Sequence, residues 1–414
     1  FVLVLAGALV TPAGTILLMA AIQPIAALPG AVGRMATRGV TGSLSRTAPA
    51  IGALGVALSV GIAVTLMIGS FRGGVVRWLE QSLQADIYIA APGTGASRSD
   101  AVLEAQLAAD LLDVPGVTGV STYRHILLLL VATNPDLVRM FAFDPFHPHR
   151  DAFDLLDAVA GGAWRGFDRG GVLISEPLAY RRGLSAGDSI TLPTDRGAAR
   201  FEIAGVYRDY ATEHGVIFMP RSAYEAWWRD RAITSLAVFT DPAADDAAVL
   251  QRIRSLPSAA GIVARPNRLL RAATLQVFDR TFLITDVLRL LALIVAFVGV
   301  TGALMALQLE RAREIGVLRA TGLTPLQVWS LITSQTALMG LAAAVLAVPL
   351  GIVMSWTMVH VINRRSFGWS YDLVFRGAPF VQALAVGIGA AVLAGIYPSL
   401  RMARLRPAQV LRDE

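Results

Sequence analysis

Few residues of this chain have the types and spacing that chemistry requires. Phe146-His147-Pro148-His149-Arg150 sets two imidazoles two positions apart, a spacing that can ligate a metal. The proline between them, and the lack of a third ligand nearby, favour a plain loop. Asp209, Glu213 and His214 form a second polar knot after a strand-like run, and a solvated loop is the default reading there. Asp286 and Arg289 stand three residues apart where an apolar run begins. Ionisable groups within a membrane are candidate functional sites, although an interfacial ion pair accounts for these two more simply. The chain has five histidines and no cysteine, which excludes disulfides, thiolate nucleophiles and cysteine metal sites. All 36 basic residues are arginine. A phosphate-binding G-x-x-x-x-G-K-[ST] loop needs its lysine on the β- and γ-phosphates, so that loop is excluded. No catalytic residue, metal or cofactor is expected, and the chain reads as a non-enzyme.

Reactive candidates are scarce because polarity is. Of 414 residues, 55% are hydrophobic and 16% charged, against about a quarter charged in soluble domains. The formal net charge of +6 invites a nucleic-acid reading, but long apolar runs explain the composition better, and no nucleic-acid partner is expected. About 20 apolar residues span a bilayer as a helix. Five stretches qualify: 1–28, 47–69, 286–307, 332–358 and 380–400. The first contains Pro12 and Pro24 and is the least regular. Arg34, Arg38 and Arg46 precede the second span. Arg311, Arg313 and Arg319 follow the third, and Arg401, Arg404, Arg406 and Arg412 follow the fifth. Alternating spans put these three clusters on one side, which the positive-inside rule makes cytoplasmic. Arg364, Arg365 and Arg376, between the fourth and fifth spans, count against that rule.

Residues 70–285 differ in character and fall outside the cytoplasm in this topology. Charges occur throughout, and Gly and Pro punctuate short apolar runs such as Asp86-Ile87-Tyr88-Ile89 and Gly171-Val172-Leu173-Ile174. Arg200 to Tyr207 alternates with period two, the mark of a half-buried strand. Helical stretches intervene near 101–113, 220–230 and 243–255. The segment reads as an inserted α+β domain, large enough for its own core. Around it, Phe71, Val75, Trp78, Leu79 and Leu83 repeat at helical spacing, as do Leu275, Phe278 and Phe282. Helices over 48–84 and 268–307 would each be roughly 55–60 Å long at 1.5 Å per residue, well beyond a hydrocarbon core of about 30 Å. The excess predicts a helical stalk on each side of the domain. The alternative is a pair of short amphipathic helices lying on the membrane surface.

After the third span comes Gln308-Leu309-Glu310-Arg311-Ala312-Arg313-Glu314-Ile315-Gly316-Val317-Leu318-Arg319-Ala320-Thr321-Gly322-Leu323-Thr324-Pro325. This predicts a short charged helix closed by Gly322, with Thr324 as the next N-cap and Pro325 at the first helical position. The string resembles the R-E-I-G-hydrophobic-L-R-A-hydrophobic-G segment of FtsX-like permeases, which include the MacB and LolC/LolE types. Tyr397-Pro398-Ser399 through Arg412 resembles that family's C-terminal P-x-x-x-A-x-x-x-x-P-x-x-x-L-R signature. Gly171 to Ser175, Leu184 to Ile190 and Phe201 to Val206 look like the MacB-type periplasmic core, with Gly187 and Asp188 suited to a tight turn between strands. The resemblance runs from about residue 34 to the end.

That resemblance implies an α-helical polytopic membrane protein with an inserted extracytoplasmic α+β domain on helical stalks. The expected division is an extra transmembrane helix and linker at 1–33, a transmembrane helix and stalk at 34–84, the domain at 85–267 and the permease region at 268–414. It further implies that Arg311, Arg313, Glu314, Ile315, Gly316, Leu318, Arg319 and Gly322 belong to a cytoplasmic coupling helix that docks on a separate ABC ATPase dimer, which binds the ATP. Membrane lipid, and a periplasmic or extracellular adaptor or substrate, are the other partners implied. The place implied is a bacterial inner membrane. The function implied is export or extraction of a lipid, lipoprotein, peptide or hydrophobic compound. The same mechanics would also suit activation of an extracytoplasmic enzyme, or ligand sensing, without transport. A membrane-bound enzyme with its site in 85–270 is a third reading. The hydrophobic segment ahead of Arg34 departs from a four-span pattern, and is expected either of the C-terminal half of a two-module, ten-span member or of an unrelated upstream addition.

Overall fold

The computed structural model describes residues 2–26, 31–91, 101–130, 136–144, 150, 153–310, 317 and 322–403. Two compact units emerge. One comprises Phe1–Ser70, Thr281–Val359 and Leu373–Glu414, the other Phe71–Arg280 and His360–Asp372.

The first unit is helical. Its elements are α1 (Val2–Ala26), α2 (Ala31–Gly42), the leading part of α3 (Leu44–Ser82), the trailing part of α9 (Asn267–Glu310), α10 (Pro325–Thr357) and α12 (Ala378–Ala403). Five stretches among the described residues are long and apolar enough to cross a membrane: Val2–Pro24, Thr47–Ser82, Asn267–Gly299, Pro325–Phe367 and Ala378–Ile396. Each overlaps one of the five runs expected from hydropathy, the third starting well before the expected 286 and ending at Gly299. Despite Pro12 and Pro24, α1 is one unbroken helix. In a helical bundle small residues bring backbones close, and that is how this unit is built. A methyl placed on Gly340 would stand 2.5 Å from the Gly387 carbonyl oxygen, and one on Gly351 would stand 3.0 Å from the Ser59 carbonyl oxygen. Ile51, Leu54, Leu58 and Ile62 of α3 fill the core against Met339, Ala343, Ala347 and Ala391.

The second unit is α+β. Among the described residues ten strands form one mixed sheet in the order β10-β1-β9-β2-β3-β8-β5-β7-β4, with β6 paired to β7. They are β1 (Ile87–Ala90), β2 (Val117–Leu130), β3 (Asp136–Phe143), β4 (Leu155–Ala158), β5 (Val172–Ser175), β6 (Ser189–Thr194), β7 (Gly197–Tyr207), β8 (Val216–Pro220), β9 (Ser235–Thr240) and β10 (Val263–Pro266). Helices α4 (Ala105–Leu112), α5 (Ala163–Asp168), α6 (Glu176–Arg182), α7 (Arg221–Trp227) and α8 (Asp246–Ser255) pack around it. The alternation anticipated for 200–207 holds only in part. Arg200 and Glu202 are exposed between buried Ala199, Phe201 and Ile203, but every residue from Ile203 to Tyr207 is buried. The reason is local: the first half of β7 pairs β6 in a two-stranded ribbon, whereas the second half lies between β4 and β5 under α5, where Gly166 sits against Ala204. Gly187, at φ 91°, and Asp188 do make a tight turn. It joins α6 to β6 rather than two strands, and the Asp188 carboxylate accepts from the Ser185 amide at 2.8 Å.

Both long helices are continuous, 39 residues for α3 and 44 for α9, which is the stalk alternative rather than the surface-helix one. Their parts in the second unit lie side by side. The rings of Phe71 and Phe278 stand 5.3 Å apart, Arg72 bonds Asp279 through two nitrogens at 2.8 and 3.2 Å, and Arg271 reaches Glu80 at 3.3 Å. At the far end the Asn267 side chain donates to the Leu83 carbonyl at 2.6 Å. Val75 and Leu79 are buried while Arg72, Arg77 and Glu80 are exposed, as the helical spacing requires.

Candidate functional site where the stalks meet a loop

The loop after α10 is the least expected part of the second unit. Helix α10 ends in a π-helical turn, Met358–Asn363, followed by α11 (Arg364–Phe367) and an extended run to Asp372. π-Helical turns are rare and cluster at functional places. Gly368, at φ 82°, turns the chain against Pro177, where a methyl would stand 3.0 Å from the Pro177 Cα. Only glycine meets both demands cheaply.

Around this loop an aromatic cluster forms. Phe71 of the first stalk contacts Tyr210, Trp369 and Tyr371 with ring centroids 5.8, 6.3 and 5.2 Å apart. Trp369 also stands 6.0 Å from Tyr210 and 5.1 Å from Phe367. Such pairs each add about 0.5–1.5 kcal/mol beyond area burial. Polar bonds fix the register. Tyr210 Oη donates to the Ser370 carbonyl at 3.0 Å, the Ser370 amide donates to Glu176 Oε2 at 2.9 Å, and Asn363 Nδ2 donates to the Trp369 carbonyl at 2.9 Å. Arg208 bridges Asp154 at 3.3 Å and Asp372 at 3.4 Å. Burial raises the Tyr371 hydroxyl to about 12 and pushes the Tyr210 hydroxyl higher still. Both hydroxyls therefore stay neutral at any physiological pH, and that of Tyr210 is a fixed donor. Among the described residues the joint shows no nucleophile–base pair; it ties two stalk helices, one loop and one sheet edge together.

Of the residues singled out from sequence, Asp209 has moved furthest from expectation. It is not part of a solvated knot. Its side chain is buried, and desolvation raises its carboxyl to about 6, opposed by hydrogen bonds from the Ala211 and Tyr210 amides. Glu213 and His214 remain exposed and 3.8 Å apart. The backbone of Asp286 and Arg289 continues α9. His147 and His149 lie outside the described residues, and no cluster of metal-ligating side chains occurs among the described ones. Arg311, Arg313, Glu314, Ile315, Gly316, Leu318 and Arg319 also lie outside the described residues. Beyond them the expected punctuation is present. Gly322 adopts φ 111°, and Thr324 and Gln327 cap each other's backbone amides ahead of Pro325. Sequence reasoning missed Glu176, Tyr210, Trp369 and Tyr371. The available signal was Phe367-Gly368-Trp369-Ser370-Tyr371, a run of rings that reads equally well as a membrane-interface belt.

Comparison with known proteins places these parts. Residues 287–407 match the FtsX-like permease C-terminal family, and residues 53–256 match the MacB-like periplasmic core domain. An uncharacterized ABC transporter permease protein of Mycobacterium tuberculosis, Rv0987, is 35% identical over all of this chain and 49% of its own length. The lipoprotein-releasing system transmembrane protein LolC of Neisseria meningitidis is 27% identical over 31% of this chain and 34% of its own length. The crystal structure of the periplasmic region of MacB from Actinobacillus actinomycetemcomitans superposes with a TM-score of 0.35 at 12% identity, over 47% of this chain and 95% of that one. The chain thus spans about half the length of its Mycobacterium relative.

Proposed function

Because the chain belongs to the FtsX-like ABC transporter permeases, of the MacB and LolC type, we propose that it converts ATP hydrolysis on a separate cytoplasmic ATPase dimer into movement of its extracytoplasmic domain. The work done is export or extraction of a lipid, lipoprotein, peptide or hydrophobic compound. One observation carries this reading: the first stalk helix and the loop between the last two spans are bonded to the α+β domain at one joint, where the second stalk helix packs on the first. A part that only anchored the domain would need one attachment. Two attachments and a stalk-to-stalk contact around an aromatic core resist bending and transmit displacement. The absence of an ionised mid-membrane path in the sequence also fits a machine that moves a domain more than one that opens a hydrophilic channel.

On this reading Arg311, Arg313, Glu314, Ile315, Gly316, Leu318, Arg319 and Gly322 form the docking surface for the ATPase, and a bacterial inner membrane is the location. The test is ATPase turnover of the complex in nanodiscs, with and without the permease. Arg313→Glu or Glu314→Arg should abolish permease-dependent stimulation while leaving membrane insertion intact. Unchanged stimulation in both variants would remove the docking site. Trp369→Ala should behave differently, keeping the ATPase bound and stimulated but losing substrate movement.

A further inference from the structure

Beside the joint, the α+β unit holds a cavity of about 270 Å³, larger than the ~150 Å³ apolar site that accepts benzene. Trp78, Tyr88, Tyr123, Phe141, Phe153 and Phe218 wall it. These rings are only half-buried, because each turns a face to the cavity. Phe218 is the hub, with centroids 5.2 Å from Phe141, 5.0 Å from Phe153 and 5.5 Å from Tyr207.

The rest of the lining mixes apolar Ala211, Val216 and Leu236 with polar side chains, three of which carry an unpartnered atom. Asp209 is buried at 4% exposure. Its Oδ1 accepts from the Ala211 amide at 3.2 Å, but its Oδ2 has no hydrogen-bond partner. Tyr207 Oη and Arg208 Nε, also at the wall, lack partners as well. Buried polar atoms are normally paired, and a stranded carboxylate oxygen costs more than a neutral one. Such a group on a residue that lines an aromatic cavity marks a place that a ligand can complete. Aromatic faces and a carboxylate together recognise one chemistry well, a cation on an apolar body. Arg208 already has Asp154 and Asp372 as ion-pair partners, so its charge leaves Asp209 free to take a cation. Arg139 pulls on Asp209 only as the weakest of the influences on it.

We propose that this cavity binds a small apolar amine, its ammonium on Asp209 Oδ2 and its body among the rings. The inference stands apart from ATP coupling and is read without any ATPase present. The experiment titrates 4-fluorophenethylamine, and its neutral counterpart 2-(4-fluorophenyl)ethanol, into the full chain in nanodiscs, followed by fluorine NMR. Empty nanodiscs set the background from lipid. The amine should bind saturably above that background, and Asp209→Asn should weaken it about tenfold, the worth of one charged hydrogen bond. The alcohol should respond little to that change. Ala211→Trp, at the exposed edge of the lining, should block both compounds while keeping the carboxylate. Equal binding of amine and alcohol to the unaltered chain would overturn the proposal and leave an unselective apolar cavity. Amine binding indifferent to Asp209→Asn, or no saturable binding above empty nanodiscs, would overturn it equally. The comparison of the two compounds on the unaltered chain decides the matter even if both variants fail to fold.

Discussion

Asp209 is the residue at which physics departs furthest from a sequence reading. An aspartate between Arg208 and Tyr210 looks solvated; the fold instead desolvates it and lifts its carboxyl to about 6, above the ~3.9 of a free side chain. The folded state therefore favours the protonated acid. Its contribution to stability is fully present below pH ~3.9 and is lost as the pH rises through about 6. Above that window the buried charge costs on the order of 2–3 kcal/mol. Asp209→Asn, which keeps the shape without the charge, should raise the melting midpoint of the ligand-free chain at pH 7.5 and give no gain near pH 3.5. Tryptophan fluorescence reads this directly, because Trp78, Trp164, Trp227, Trp228 and Trp369 all belong to the second unit. A destabilised Asn variant at pH 7.5 would mean that Arg139 already pairs with the carboxylate. Tyr210 offers a second residue-scale check. Tyr210→Phe removes the bond to the Ser370 carbonyl but keeps the ring contacts with Phe71 and Trp369. It should cost about 1–2 kcal/mol, less than Trp369→Ala.

Elements were legible where one physical rule dominated. Apolar length located five candidate spans, since a helix satisfies all its backbone groups within one such segment. Short apolar runs marked β1 and β5, period-two alternation marked β7, and the expected helical stretches overlap α4, α7 and α8. Thr324-Pro325 announced the start of α10 because capping is local. The joint was not legible, because its members, Phe71, Glu176, Tyr210, Phe278 and Trp369, lie far apart in sequence and each has an ordinary local role. The same limit applied to the close approach of α10 and α12. Gly340 and Gly387 were recognisable as small residues, but not as each other's partners. Gly340→Leu should test that contact hardest, since even a first methyl would meet the Gly387 carbonyl oxygen at 2.5 Å and Ala391 Cβ at 2.6 Å. Overpacking of this kind costs about 1–3 kcal/mol and more where backbone must move. Gly389→Leu, with nothing within 4 Å, should be tolerated on the same helix. Thermal stability of the two variants in detergent checks the pair, and equal losses would argue that α12 packs in another register.

At the scale of the molecule, the chain enters the second unit along α3, leaves along α9 and returns to it only for residues 360–372. A thirteen-residue excursion that costs conformational entropy is explained if the loop is a strut, holding the domain's edge to the stalk while force passes. A strut must stay closed through the working cycle, whereas a gate must open. The absence of native cysteine makes the distinction measurable. A Cβ on Gly74 would lie 3.5 Å from the Cβ of Tyr371, within the ~3.5–4.5 Å that a disulfide requires. The Gly74→Cys, Tyr371→Cys double variant should therefore cross-link under mild oxidation. If the joint is a strut, the oxidised and reduced forms will share the same ATPase stimulation and the same substrate movement. Loss of either activity on oxidation, restored by reductant, would show that loop and stalk separate in each cycle, and the joint would then be the moving part rather than the fixed one.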